Sequence, residues 1–152
     1  MSLTIVMYHY VRDLDRSDYP SIKGLRITEF REQLAYLRCY YNMVTAEDVL
    51  GAVAGETELP PNAALLTFDD GYADHFSNVL PILEESRMKG AFFVPAMPIL
   101  EKVVLPVNKI HFVLASVSDI NDLVNALEAL LQNYASDPRV MTTETYRSRF
   151  HQ

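Results

Sequence analysis

A single cysteine, Cys39, rules out both a disulfide within this chain and a cysteine-built zinc site. It falls in the stretch Phe30 to Tyr41, which reads as a helix. No neighbour marks it as a nucleophile, so it is expected as buried filler. Basic side chains are also short, 13 against 20 acidic ones, for a net charge of −7. A nucleic-acid backbone calls for a basic face, so that class of partner is excluded, whereas a neutral substrate is compatible. Long apolar runs are missing too. Leu3 to Tyr8 is too short to span a membrane and lacks the basic start and small-residue cleavage site of a signal peptide. As written the chain reads as cytoplasmic, with a leader removed ahead of Met1-Ser2-Leu3 left open. There is no glycine-rich phosphate loop, no serine elbow, no repeat and no low-complexity tract.

What is present is one domain's worth of core. The 152 residues are 49% hydrophobic and 22% charged, a globular profile too short for two ordinary domains. The chain is organised around Leu65-Leu66-Thr67-Phe68-Asp69-Asp70-Gly71-Tyr72. An apolar run stops abruptly at two adjacent carboxylates and a glycine, the pattern of a buried strand delivering acids to the rim of a sheet. Adjacent carboxylates resist ionising together, and a cation relieves that conflict, so the pair suits a metal, a base, or both. The alternative is a solvated turn, since Asp-Asp-Gly is also common turn chemistry.

Around this stretch the pattern alternates. Leu3 to Tyr8 reads as a central strand that places His9 at its C-terminal end, where active sites collect in α/β folds. His9 is equally readable as a packed residue between Tyr8 and Tyr10. Arg12 to Gly24 reads as a surface loop. Thr28 is expected to cap a helix to about Tyr41, with Phe30, Leu34, Leu37 and Tyr41 on one stripe. Met43-Val44 is a short strand candidate. Thr45-Ala46-Glu47-Asp48 is a capping-box pattern opening a helix that Gly51 and Gly55 weaken and end. Ala63 to Phe68 is the second strand. A helix follows from about Asp74 to Met88, with Pro81 kinking it or opening a fresh first turn and Gly90 closing it. Ala91 to Val94 is the third strand, stopped by Pro95 and Pro98. Strand, helix, strand at this spacing predicts a parallel sheet. Beyond Asn108 the chain turns helical: Ile110 to Val117, then Asp119 to Tyr134 capped by Ser118, a break at Asp137-Pro138, and a weak segment from Thr142 to Phe150. Ile120, Leu123, Val124, Leu127, Leu130, Leu131 and Tyr134 form a continuous apolar face.

Thr67-Phe68-Asp69-Asp70-Gly71-Tyr72 resembles the first signature motif of the polysaccharide deacetylases, the NodB-homology or carbohydrate esterase 4 family. Three more blocks in the same order resemble that family: Met7-Tyr8-His9-Tyr10-Val11, Asn78-Val79-Leu80-Pro81-Ile82-Leu83, and Gly90-Ala91-Phe92-Phe93-Val94. The resemblance covers residues 3 to 98, and Asn108 to Val117 is similar to an insert in some members. It implies a distorted (β/α) barrel of about seven strands with its site at the C-terminal strand ends. It also implies Asp69 as general base and Asp70 as ligand to a divalent metal, most commonly zinc, in removing acetyl groups from a carbohydrate. A metal-bound water ionises near neutral pH and a nearby carboxylate can take its proton, so the chemistry is coherent.

The chain departs from the family pattern after Val94. The family's second motif, a histidine pair, is absent: His9, His75, His111 and His151 include no two that are three to five positions apart. The later motifs with an arginine, an aspartate and a leucine–histidine pair are not found either. Only three or four strands are counted. Two expectations follow: an N-terminal part of a longer deacetylase, favoured by the abrupt ending Arg149-Phe150-His151-Gln152, or a degenerate relative that binds carbohydrate or a partner without cleaving. Residues 1–152 are read as one incomplete domain, with 108–152 a helical insert or tail. His9, Tyr72 and His75 are the further candidates for substrate or metal contact, although His75 reads most simply as an exposed helix residue and His111 as structural. A haloacid-dehalogenase site is excluded because its two aspartates are separated by one residue, and a receiver domain because its later acid and lysine are missing. Exposed apolar edges of a partial barrel make self-association an expectation.

Overall fold

A computed structural model describes residues 2–134, 136–137 and 139–150. Met1, Pro138 (half of the expected helix break) and the ending at His151 and Gln152 lie outside the described residues.

The architecture is α/β. β1 (Leu3–Tyr8), β4 (Asn42–Met43), β5 (Ala63–Asp69) and β6 (Ala91–Phe93) form a four-stranded, all-parallel sheet centred on β5. β1 runs the length of one edge of β5, from Leu3 opposite Ala63 to Tyr8 opposite Phe68. On the other edge β4 pairs with Ala63 and Ala64, and β6 pairs with Thr67, Phe68 and Asp69. Parallel strands joined by helices must be covered to be stable, which is why β5 reads as an unbroken apolar run and is buried from Ala63 to Phe68.

Two helices cover one face of the sheet. α1 (Ile27–Tyr40) buries Phe30, Leu34 and Leu37, and α3 (Leu80–Ser86) buries Ile82 and Leu83. With Tyr8, Leu66, Phe68 and Val79 these form the main core cluster, where the Phe68 ring stacks on Tyr8 at 5.2 Å and on Phe92 at 4.8 Å. Burying such side chains stabilises the fold by roughly 1.5–3 kcal/mol each. α2 (Ala46–Val53) opens with the expected box, Thr45 accepting from the Asp48 amide and the Asp48 carboxylate accepting from the Thr45 amide.

Several local expectations are corrected. Cys39 is exposed, because the buried stripe of α1 faces the sheet at Phe30, Leu34 and Leu37 and Cys39 lies off that stripe. The N-cap of α1 is Arg26 rather than Thr28, with Glu29 reaching back to the Arg26 amide at 3.0 Å. The segment Arg12 to Gly24 is more than a surface loop. β2 (Val11–Arg12) and β3 (Leu25–Arg26) pair in a second parallel ladder, a 3₁₀ turn spans Leu14–Arg16, and Leu14 and Ile22 are buried with Tyr10. After β5 comes a π-helical turn at His75–Val79, and α3 begins anew at Leu80 with Pro81 in its first turn. α3 is closed by Arg87 in the left-handed conformation (φ +53°), not by Gly90. Gly90 serves close approach instead: a Cβ there would stand 2.5 Å from the Phe68 ring.

Past β6 come α4 (Ala96–Glu101), α5 (Pro106–Ser116), α6 (Ile120–Asn133) and α7 (Thr143–Phe150). α4 was not expected, since Pro95 precedes it and Pro98 lies in its first turn. α6 is capped by Asp119, whose side chain accepts from the Asn121 amide, rather than by Ser118. Its apolar face is real but unpacked: Ile120, Leu127, Leu130 and Tyr134 are all more than half exposed. Among the described residues no helix is long and apolar enough to cross a membrane.

Candidate active site

β5 carries its last residue, Asp69, to the C-terminal rim of the sheet, in register with Phe93 of β6. The chain then turns through two successive left-handed residues, Asp70 (φ +70°) and Gly71 (φ +60°). Aspartate is among the few side chains that tolerate this region. Gly71 has a second reason to lack a side chain, since a Cβ would lie 2.7 Å from Val94 Cγ1. The turn thus fixes both carboxylates, half-buried, on an open groove lined by Thr67, Asp69, Asp70, Phe93, Val94 and Pro95. Asp70-Gly71 is thus a turn, one that sits at the end of a buried central strand.

Asp70 is held from behind. The Tyr72 hydroxyl donates to Asp70 Oδ2 at 2.5 Å and accepts from Asn108 Nδ2 at 2.6 Å. The same amide donates to the Tyr10 hydroxyl at 3.2 Å, and Tyr10 in turn meets His111 Nδ1 at 3.2 Å. The Tyr10 and Tyr72 rings stack at 4.2 Å. Burial, followed by the hydrogen bond to the Asp70 carboxylate, pushes the Tyr72 phenol well above its ordinary range. Arg12 pairs with Asp74 at 2.6 Å and lies 4.7 Å from the Tyr10 ring centre, tying the second ladder to the segment after the turn.

The histidines divide. His9 follows β1 directly, and since Tyr8 is paired with Phe68, it stands at the level of Asp69 on the same rim. His75 is buried rather than exposed, 4% accessible, because the π-helical turn rolls it inward against Phe68, Tyr72 and Phe92. Its Nε2–H donates to the His9 carbonyl at 2.7 Å, while Nδ1 has no partner. His111 packs edge-on against Tyr10, in keeping with a structural role. Tyr72 is at the site, bonded to the acid rather than open to the groove.

Sequence reasoning missed Tyr10, Arg12, Asp74 and Asn108. The available signal for Asn108 was an amide in the first turn of a mainly apolar helix, and it is the one buried residue of α5.

Whether these residues fit a divalent metal can be tested directly. Among the described residues no group of three or more His, Cys, Asp or Glu side chains converges on one point. One oxygen of Asp70 is engaged by Tyr72, and His75 has turned its Nε2 to a backbone carbonyl. Stable zinc binding wants three or more protein ligands, so the described residues do not make a metal centre by themselves.

The parallel α/β sheet with paired aspartates on its C-terminal rim is similar to the corresponding part of deacetylases of known structure. Residues 56–104 match the family model of the polysaccharide deacetylases. Poly-beta-1,6-N-acetyl-D-glucosamine N-deacetylase from Escherichia coli strain K12 is 36% identical over 80 residues, covering 52% of this chain and 12% of that protein. A de-N-acetylase from Aggregatibacter actinomycetemcomitans superposes with a TM-score of 0.56 at 26% identity over 67% of this chain and 40% of its own. IcaB from Ammonifex degensii gives a TM-score of 0.54 at 32% identity over 63% of this chain and 39% of its own. The chain is similar to the polysaccharide deacetylases over the stretch that carries the acidic turn. It spans about two fifths of the solved relatives and a much smaller part of the curated one.

Proposed function

We propose that this chain is the acid-bearing part of a single deacetylase domain that hydrolyses acetyl groups from a carbohydrate, with an N-acetylated glucosamine polymer as its substrate class. The observation that carries the reading is the placement of Asp69 and Asp70 by a buried central strand onto an open groove at the C-terminal rim. Asp69 is the general base. It takes a proton from the water that attacks the acetyl carbonyl; the C–N bond breaks, acetate leaves, and the amine nitrogen receives a proton. Asp70 would supply one oxygen ligand to a divalent metal, zinc being the family's usual choice, and such a metal would acidify the attacking water; the described residues do not supply the rest of its ligands. His9, on the same rim, is a substrate or metal contact. Tyr72 acts on Asp70 and not on substrate, and His75 supports the rim from below.

The test is acetate release from poly-β-1,6-N-acetylglucosamine oligomers by the chain with supplied zinc. Asp69→Asn is expected to lose about 10²- to 10⁴-fold in rate, the usual worth of a positioned base. Equal, measurable rates for the two proteins would remove Asp69 from the mechanism.

A second reading is favoured by the Tyr72 bond on Asp70 and by finding no three-ligand cluster among the described residues. In it the domain binds carbohydrate, or a partner, without cleaving. Saturable binding of the same oligomers with no acetate released at any zinc concentration would decide for it.

A further inference from the structure

The hydrogen bonds behind Asp70 have a direction that can be worked out from donor and acceptor inventories alone. A carboxylate only accepts, so the single hydrogen of the Tyr72 hydroxyl is on Asp70 Oδ2. With its hydrogen committed, the Tyr72 oxygen accepts from Asn108, which requires the amide nitrogen, not the amide oxygen, to face it. The second hydrogen of that nitrogen goes to Tyr10, and the Tyr10 hydrogen is left for His111 Nδ1. One buried amide therefore orients two hydroxyls: that of Tyr72 ends on the carboxylate of the acidic turn, and that of Tyr10 returns to His111 on α5 itself. Asn108 is 6% accessible and sits 36 positions from Tyr72 in a segment beyond the matched family region.

We propose that Asn108 is a positioning residue for Asp70, acting through the Tyr72 hydroxyl from the docked helix α5. Asp70 occupies a left-handed backbone position on the half-buried rim of the groove, and the hydroxyl fixes its rotamer. Asn108 keeps that hydroxyl pointed at the acid by filling the other side of its oxygen. Tyr10 holds the stack in place, with its ring 4.2 Å from Tyr72 and packed beside Leu14, Ile22, Phe112 and Ala115. The meaning of this device for catalysis rests on the role proposed for Asp70; the coupling itself does not.

The test is the side-chain rotamer of Asp70, read from three-bond couplings to its carboxyl carbon in the labelled 152-residue protein. The wild type is expected to show one staggered rotamer. Tyr72→Phe keeps the ring stack and removes the hydroxyl, and Asn108→Asp keeps the volume but replaces the donor with an acceptor that draws the Tyr72 hydrogen away. Both are expected to average the couplings toward those of an exposed aspartate, and Asn108→Leu should do the same, with no further change when combined with Tyr72→Phe. A role limited to packing α5 would lower the melting temperature of the Asn108 variants and leave the Asp70 couplings unchanged, which overturns the proposal. If Asn108→Leu fails to fold, Tyr72→Phe and Asn108→Asp still decide it. Acetate release by Asp70→Asn tests the acid's own role separately, so that a failure there leaves the coupling result readable.

Discussion

At the scale of single residues the site is a compromise between backbone strain and side-chain support. Asp70 and Gly71 both take left-handed conformations, and only one of them is glycine. Gly71→Ala would combine a disfavoured φ with a Cβ 2.7 Å from Val94. The expected loss is about 1–3 kcal/mol, read as a lower denaturation midpoint with an unchanged slope. The tyrosines give a second residue-scale prediction. Burial raises the Tyr8 phenol to about 12, and burial with the Asp70 bond raises Tyr72 further. Their folded-state values lie above the unfolded one of about 10. Their contribution to stability is therefore complete below pH 10 and is lost as pH climbs toward and beyond 12, because the unfolded chain releases its protons first. Ultraviolet titration of the folded protein at pH 11 should leave these two phenols protonated. Tyr72→Phe should remove one of the two late-titrating groups.

At the scale of elements, legibility followed how local the cause was. β5 was readable because a two-sided buried strand must be apolar throughout, and its end was readable because two carboxylates cannot continue it. The capping box at Thr45 and the restart at Pro81 are equally local and were found as expected. What was not legible depends on partners far along the chain. Asn108 meets Tyr10 across 98 positions, and His111 meets it across 101, so neither bond leaves a trace in local periodicity. His75 was read as exposed because its burial comes from distant partners, the Phe68 and Phe92 rings and the His9 carbonyl 66 positions away. Gly90 shows the same limit, since it reads as a helix terminator until the Phe68 ring is seen above it. Gly90→Ala is accordingly expected to cost about 1–3 kcal/mol through overpacking of Phe68 rather than through helix capping. Phe68→Leu, by making room, should reduce that cost in a double-mutant cycle; additive effects would assign Gly90 some other role.

At the scale of the whole molecule the two halves are held by different amounts of buried surface. From β1 to β6 the chain is organised on a sheet whose central strand is closed off on both faces and ringed by α1, α3 and the aromatic cluster of Tyr8, Phe30, Phe68 and Phe92. Beyond β6, Asn108 is the one fully buried residue of α5, and no residue of α6 is fully buried. Opening free energy tracks buried apolar contact, so the molecule should not open as one unit. Native-state hydrogen exchange should find the slowest amides in β5 and the β1 residues paired with it, since their loss requires opening the main core. Amides of α6 should exchange fastest among the long helices, because its hydrogen bonds are protected only by its own turns and an isolated helix of this length is marginal in water. α5 should fall between them, tied at its first turn by the Asn108 amide and along its face by Phe112 and Ala115. The Asn108→Leu substitution should move α5, and not β5, toward the fast class. Uniform exchange of α5, α6 and β5 would instead show a single cooperative unit, and with it a coupling of the helical segment to the sheet much stronger than one buried amide supplies.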